Sequence, residues 1–342
     1  MNRPNKQRNR GGRHSKAVAA WLVSTACALS ISAGASAQEL PAGMSGTLSP
    51  EVYLGQNMPG QAPLYPAGGS FIYRDTEMTL VAFATDEAKA AALIPEELQL
   101  VGIPQLPGQA SAMLVFANYR ENDQIGPYME AIVNIPVIYE GQLYLYVPFI
   151  YVDTDAAMAA GREYGGYPKK LANIQMRSFG ALKLATMSRS TMQEKAADPN
   201  FSEIASASMS MGGRLFSIPL PADAMPQLPF PYNLILPMPA ATGAPQDYVL
   251  TTMGLRRIPG VGPGEGGSDD AVIAELVSSP WKVSEGEVFA ANDISIAFNP
   301  SDEDPIAQML PINSIIGGAI LHAETMVTSP SEDWKIVVDL LK

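Results

Sequence analysis

Two adjacent lysines, Lys169 and Lys170, stand directly behind Tyr167-Pro168 in the run Gly161-Arg162-Glu163-Tyr164-Gly165-Gly166-Tyr167-Pro168-Lys169-Lys170-Leu171. A lysine amine attacks a carbonyl carbon only when neutral. An ordinary one, with a pKa of about 10.4, is neutral in well under ~0.1% of molecules at pH 7. Burial in hydrocarbon and a neighbouring cation both disfavour the ammonium, whereas the negative field of an acidic chain favours it. A neutral amine near pH 7 therefore requires roughly 5 kcal/mol of local, selective destabilisation of the charged form, which only a packed apolar cavity supplies. The bland alternative is an exposed basic turn, the usual fate of an arbitrary Lys-Lys pair.

The elements that must position these lysines are legible around them. Asp153 to Ala160 consists of helix formers capped by Asp153, Thr154 or Asp155; Gly161 is a plausible stop, or the helix runs on to Tyr164. Gly165-Gly166 and Tyr167-Pro168 mark a turn, so Lys169 emerges just beyond it. Upstream, Met78–Phe83 reads as a strand, followed by a short helix capped by Thr85 or Asp86 and running through Ala92. Ser111–Asn118, Ala131–Tyr139 and Leu143–Val152 are apolar and rich in β-branched or aromatic residues, and Tyr139-Glu140-Gly141-Gln142 joins the last two as a hairpin. Downstream, Gly180–Arg189, Glu203–Met211, Arg214–Pro219, Val288–Phe298 and Ile312–Val327 read as strands. Residues 219–245 read as Pro-rich loops, Pro259–Asp270 as a surface excursion, and Ser331–Leu341 as a terminal helix. The pattern is α+β and β-dominated, with few short helices.

Arg3, Lys6, Arg8, Arg10, Arg13 and Lys16 form a basic leader before an apolar run from Ala17 to about Ile31, and Ala35-Ser36-Ala37 has the small-x-small form of a signal-peptidase site. Residues 1–37 thus read as a secretory signal peptide, 38–68 as an irregular N-terminal arm, and 69–342 as the folded domain. A membrane anchor is the alternative, but the run is short for a span and contains several Ser and Thr. Cys27 also permits a lipoprotein reading, although Ser24 stands where such a signal has Leu. The leader holds 6 of the 22 Lys and Arg and none of the 34 Asp and Glu, which leaves 16 cations against 34 anions, a net charge of −18. Nucleic acid is excluded as a partner by the lack of any basic patch able to displace counterions from phosphate. The single Cys and one of two His, His14, leave with the leader, so thiol chemistry, disulfides and a His-based metal site are not expected; any Ser-His-Asp arrangement would have to use His322.

The Gly-Arg-Glu…Tyr-Pro-Lys-Lys-Leu run resembles the signature of the acetoacetate decarboxylase family. Phe71-Ile72-Tyr73-Arg74 resembles that family's early arginine segment. Gly126-x-Tyr128-x-Glu130, with Ile135-Pro136-Val137 and Gly141, resembles the segment before the signature. Ala319-Ile320-Leu321-His322-Ala323-Glu324 is similar to its closing run, with His322 where the family has arginine. The resemblance implies curved sheets closing into a barrel or cone around a central pocket, no metal or organic cofactor, a homo-oligomer, and a small oxo-acid substrate. It implies Lys169 as the Schiff-base lysine, Lys170 as the neighbouring cation that activates it, Arg74 as a polar pocket residue and Glu130 as an active-site carboxylate. One departure stands out: the family's second glutamate, fifteen residues before the first, is replaced here by Val115. Imine formation stays within reach, while decarboxylation of acetoacetate itself loses a proton handler. Aldol, retro-aldol or dehydration chemistry on another oxo acid, and non-catalytic binding of a small ligand, are the rival readings.

Taken without the resemblance, Glu130 reads as a solvated carboxylate near a strand edge and Arg74 as a loop brace; Arg162 and Glu163 read as structural ion-pair formers. Gly262-x-Gly264-x-x-Gly267 matches a dinucleotide pattern, but Pro263 removes a donor and no strand–turn–helix context surrounds it. The protein is expected in the periplasm or outside the cell, with no membrane span after cleavage, and N-terminal sequencing of the mature form should begin at Gln38.

Overall fold

The computed structural model describes residues 69–190, 201–222, 243–260 and 271–342, with Ser49 and residues 64–65, 226–228, 231–232 and 236. The expected signal peptide, nearly all of the N-terminal arm and the glycine pattern of 262–267 lie outside the described residues. Among the described residues no helix is long and apolar enough to cross a membrane.

Seven strands form a path that returns on itself. β1 (Phe71–Asp86) pairs antiparallel with β3 (Gln109–Asn122) on one side and β12 (Ser314–Thr328) on the other. β3 continues antiparallel to β4 (Tyr128–Tyr139), and β4 to β5 (Gln142–Val152). On the other side, β12 pairs with β11 (Ala271–Phe298), and β11 with β10 (Tyr248–Pro259). A short parallel contact, Thr252 opposite Leu145 and Met253 opposite Tyr146, joins β10 to β5 and completes the ring. The long β11 also carries β9 (Ser202–Ile218), β8 (Leu182–Arg189) and β7 (Asn173–Phe179) outward as an extension of the sheet. Among the described residues three short helices complete the β-dominated architecture: α1 (Glu87–Ala91), α2 (Asp155–Gly165) and α3 (Ile306–Met309).

Side chains alternate across each strand, and this divides the apolar residues into two cores. Met78, Leu80, Val115, Ile132, Val147 and Met326 belong to the inner core within the ring. Their sequence neighbours Val81, Phe83, Leu114, Phe116, Val133 and Tyr146 face the other way and pack with Ile174, Met187 and Met209 of the β7–β9 extension. Fully burying such a side chain contributes about 1.5–3 kcal/mol, so both faces of the ring strands stabilise the fold and the strands read as continuous apolar runs.

The β4–β5 hairpin forms at the expected turn. Glu140 and Gly141 both have positive φ, which gives a two-residue loop whose twist matches the strands. Three expectations are corrected. The segment after Ser331 forms a turn and then β13 (Lys335–Asp339), paired with β11, because the β-branched run Ile336-Val337-Val338 finds an open strand edge at Glu275–Ser278. Glu203–Met211 and Arg214–Pro219 belong to one strand, β9, which passes through Gly212-Gly213 with register shifts against β11 instead of turning. Val288–Phe298 is only the last part of β11, and β7 had no clear signal.

On the outer side of the ring, Glu77 of β1 accepts from Lys183 Nζ of β8 at 2.6 Å, and Lys183 also donates to Ser178 Oγ. His322 Nε2 of β12 lies 3.1 Å from the same Glu77 oxygen, outside hydrogen-bonding geometry. Burial pushes the Glu77 carboxyl up, but His322 and Lys183 more than reverse this and hold it at about 2. A depressed carboxyl stabilises the fold above its unfolded value of 4.5, and that contribution is lost as pH falls from about 4.5 to about 2. We expect the unfolding free energy from chemical denaturation to drop through that window by on the order of 3 kcal/mol at most, and the Glu77→Gln variant to lack this component.

Candidate active site

The Lys169 side chain reaches the inside of the ring because of a chain of local constraints. Thr154 caps α2 through Ala157 N, and the helix ends at Gly166 in the left-handed region with φ 67°. A Cβ at Gly166 would collide with the Arg256 backbone, so glycine is required by both conformation and space. Tyr167 N then donates to Gly161 O at 3.1 Å, and Lys169 N to Tyr167 O at 2.7 Å across Pro168. Arg162 Nη1 donates to Lys169 O at 3.1 Å, and β6 (Lys169–Leu171) runs parallel to β5 with Lys169 opposite Ile150. Both backbone polar groups of Lys169 are therefore held. Gly161 makes room for the side chain: an added Cβ would stand 2.5 Å from Lys169 Cδ and closer still to Cε.

Lys169 is 5% exposed and Glu130 2% exposed, and Nζ lies 2.5 Å from Oε2. Tyr119 Oη donates to Glu130 Oε1 at 3.4 Å. The ammonium also lies 5.6 Å above the Tyr128 ring and 5.9 Å from that of Tyr167. Burial, reinforced by the Glu130 charge, pushes the Tyr119 and Tyr128 hydroxyls well up; burial lifts Tyr167 to about 12 despite its hydrogen bonds. These phenols remain neutral donors around the pair. Thr252 Oγ1 donates to Ser279 O, so its lone pairs accept from Tyr167 Oη at 2.6 Å and Trp281 Nε1 at 3.1 Å, which fixes both rings.

The cavity beside the pair is walled by hydrocarbon, including Met78, Leu80, Met113, Val115, Ile132 and Val147. It contains about 600 Å³ of empty space with its mouth included, of which about 50 Å³ admits the centre of a water-sized sphere, enough for a narrow small molecule. Among the described residues Lys169 and Glu130 are its only charged lining residues. Val115, 4% exposed, presents hydrocarbon to the same space.

Of the four residues singled out from sequence, the structure brings Lys169 and Glu130 together and sends the other two elsewhere. Lys170 lies on the opposite face of β6, as alternation requires. Its Nζ donates to Asp304 Oδ1 at 2.7 Å and Glu303 O at 2.9 Å, and Asp304 also receives Arg189 and Tyr151. The expected cation facing Lys169 is thus a paired charge on the outer side. Arg74 is exposed and lines an outer groove with Asp75, Glu77 and His322, because Tyr73 takes the inward position on β1. Arg162 and Glu163 form no ion pair with each other; Arg162 holds the Lys169 carbonyl and Glu163 accepts from Tyr65 Oη. Tyr119, Thr252, Trp281 and Asn134 are site residues that sequence reasoning missed. Each owes its place to strand register, as when Tyr119 falls opposite Tyr128 across the β3–β4 pairing. Among the described residues no cluster of three or more His, Cys, Asp or Glu is placed to hold a metal ion.

Comparison with known proteins agrees with this geometry. The acetoacetate decarboxylase of Ralstonia nicotianae is 28% identical over 163 residues, 42% of this chain and 63% of that protein. The chain therefore spans under two thirds of the length of the first curated relatives it matches. The crystal structure of acetoacetate decarboxylase from Legionella pneumophila superposes with a TM-score of 0.60 at 19% identity, over 87% of this chain and all of that one. The enduracididine biosynthesis enzyme MppR, in complex with the condensation product of pyruvate and imidazole 4-carboxaldehyde, superposes at 0.55 with 14% identity, over 89% of this chain and all of its own. These two likenesses speak for the fold. The family model for acetoacetate decarboxylase (ADC) matches residues 57–335, and with a lysine–glutamate pair buried inside a closed ring of strands the chain belongs to the acetoacetate decarboxylase family.

Proposed function

We infer that this protein is an imine-forming lyase acting on a small oxo acid, with Lys169 as nucleophile and Glu130 as proton carrier. The observation that carries this is a nearly inaccessible amine held 2.5 Å from a single carboxylate inside a hydrocarbon cavity. Moving one proton from Nζ to Oε2 leaves both groups uncharged, which the apolar surroundings favour over two separated charges. The neutral amine then adds to the substrate carbonyl carbon. Water departs with the proton from Glu130 as the carbon–nitrogen double bond forms, giving a protonated imine. In a β-keto acid the bond to the carboxylate breaks, its electron pair flows to the imine nitrogen, and carbon dioxide leaves an enamine behind. Reprotonation at carbon and addition of water release the ketone and restore the amine. The names of the relatives, acetoacetate decarboxylases, support the decarboxylase outcome.

Val115 favours a second outcome of the same intermediate. With one carboxylate in place of two, the cavity suits chemistry needing a single proton carrier, such as aldol, retro-aldol or dehydration reactions of another oxo acid. That the fold of MppR is found with a condensation product fits this branch.

Borohydride trapping with a panel of oxo acids tests the reading. We expect a mass increase on the peptide containing Lys169 and none in Lys169→Ala. Lys170→Ala should retain labelling within about threefold, since its ammonium is paired outside the cavity. Release of carbon dioxide from β-keto acids identifies the decarboxylase; adducts without it identify the aldolase or dehydratase branch; no adduct with any acid leaves only a ligand-binding protein. Gly161→Ala probes the positioning separately. The new methyl occupies the space of Lys169 Cδ and Cε, and we expect trapping to slow about 100-fold while the protein stays folded by circular dichroism, because alanine favours helix.

A further inference from the structure

Asn134 is 2% exposed and lines the cavity, yet its buried Oδ1 has no hydrogen-bond partner. It is alone in this among the polar side chains facing that space. Glu130 is bonded to Lys169 and Tyr119, and Tyr167 and Trp281 are both bonded to Thr252. Asn134 sits opposite Met113 on β3, where the register of β4 against β5 shifts by one residue. The extra residue falls at Val147-Pro148, and proline offers no backbone donor there. An unpaired carboxamide in hydrocarbon is destabilising, and leucine of similar volume would fill the position without that penalty. The amide therefore answers to something that enters the cavity.

Glu130 and Asn134 are four residues apart on one strand face, a separation of about 13 Å along β4, so they mark two ends of a narrow space. Among the described residues no cationic or anionic side chain lines the Asn134 end. A second carboxylate there would be buried without a counter-charge, whereas an uncharged donor such as a hydroxyl matches the unpaired amide oxygen, which can only accept. We propose that Asn134 recognises the tail of the substrate: the carbonyl compound that reacts at Lys169 carries an uncharged hydrogen-bonding group at the end of an apolar chain spanning on the order of 10 Å. The assignment rests on the imine reading for the orientation of the substrate and makes acetoacetate too short to be the preferred one.

Titration calorimetry with nonan-2-one and its ω-hydroxy derivative tests it on the full-length chain. We expect the hydroxylated ketone to bind wild type about tenfold more tightly. Asn134→Leu should remove that preference, keep the affinity for the plain ketone, and leave the thermal midpoint unchanged or higher. Equal affinities in wild type, or a preference that survives Asn134→Leu, overturns the proposal; so does a lower midpoint with an unchanged ratio, the mark of a purely structural amide. Asn134→Gln keeps the amide but advances it by one methylene, and should shift the preference to the hydroxy ketone one carbon shorter; an unmoved optimum also overturns it. Borohydride added to the same complexes separates the two ideas. A tail preference without adducts removes the imine reading and leaves Asn134 as a recognition group, while adducts without a preference do the reverse.

Discussion

An ammonium and a carboxylate facing each other at 2.5 Å inside hydrocarbon are the constraint around which this structure is organised. Removing either partner strands a charge in a low-dielectric space, which typically costs 3–5 kcal/mol, so neither residue is dispensable to the fold. The pair is acceptable because each group meets the other's charge and hydrogen-bonding capacity directly. The ring of strands excludes water on most sides, and the phenols of Tyr119 and Tyr128, kept neutral by burial, supply donors and ring faces without adding charge.

The backbone around Lys169 shows how little freedom the pair has. Helix α2 ends where Gly166 alone fits against Arg256, and Arg162 closes the loop by holding the carbonyl of the residue seven positions on. Gly161 weakens the helix by about 1 kcal/mol relative to alanine, a loss offset by the space it yields to the lysine stem. Four positions of the Gly-Arg-Glu…Tyr-Pro-Lys-Lys run thus have a geometric reason: Gly161 for clearance, Arg162 for the carbonyl, Tyr167 for the wall, and Lys169 for the buried pair with Glu130. Lys170 serves the opposite face, where Asp304 gathers it with Arg189 and Tyr151 and ties β5, β6 and β8 to the segment before α3.

Inside the ring, the inward positions of β3 and β4 set the character of the cavity layer by layer. Tyr119 faces Tyr128, Ala117 faces Glu130, Val115 faces Ile132, and Met113 faces Asn134. The Glu130 end is polar and aromatic, the middle is hydrocarbon, and the far end carries an unpaired amide oxygen. Val115 extends the hydrocarbon zone between these two ends. The apolar stretch thus separates the lysine–glutamate pair from the orphaned amide oxygen of Asn134.

What the amino-acid sequence determined was local. The cap and stop of α2, the turn that presents Lys169, the Glu140-Gly141 hairpin and the alternation of strands all follow from propensities and backbone preferences acting within a few residues. What only the tertiary structure decided was register. Whether Lys170 joins Lys169, whether Arg74 or Tyr73 points inward, whether Thr252 and Trp281 meet Tyr167, and whether the last segment forms β13 instead of a helix all depend on pairings between strands distant in sequence. A shift of one residue in any of them would exchange the inner and outer faces, because side chains alternate with a period of two. Local sequence sets which residues lie on a strand; contacts made across a hundred or more residues set the side of the wall on which each one stands.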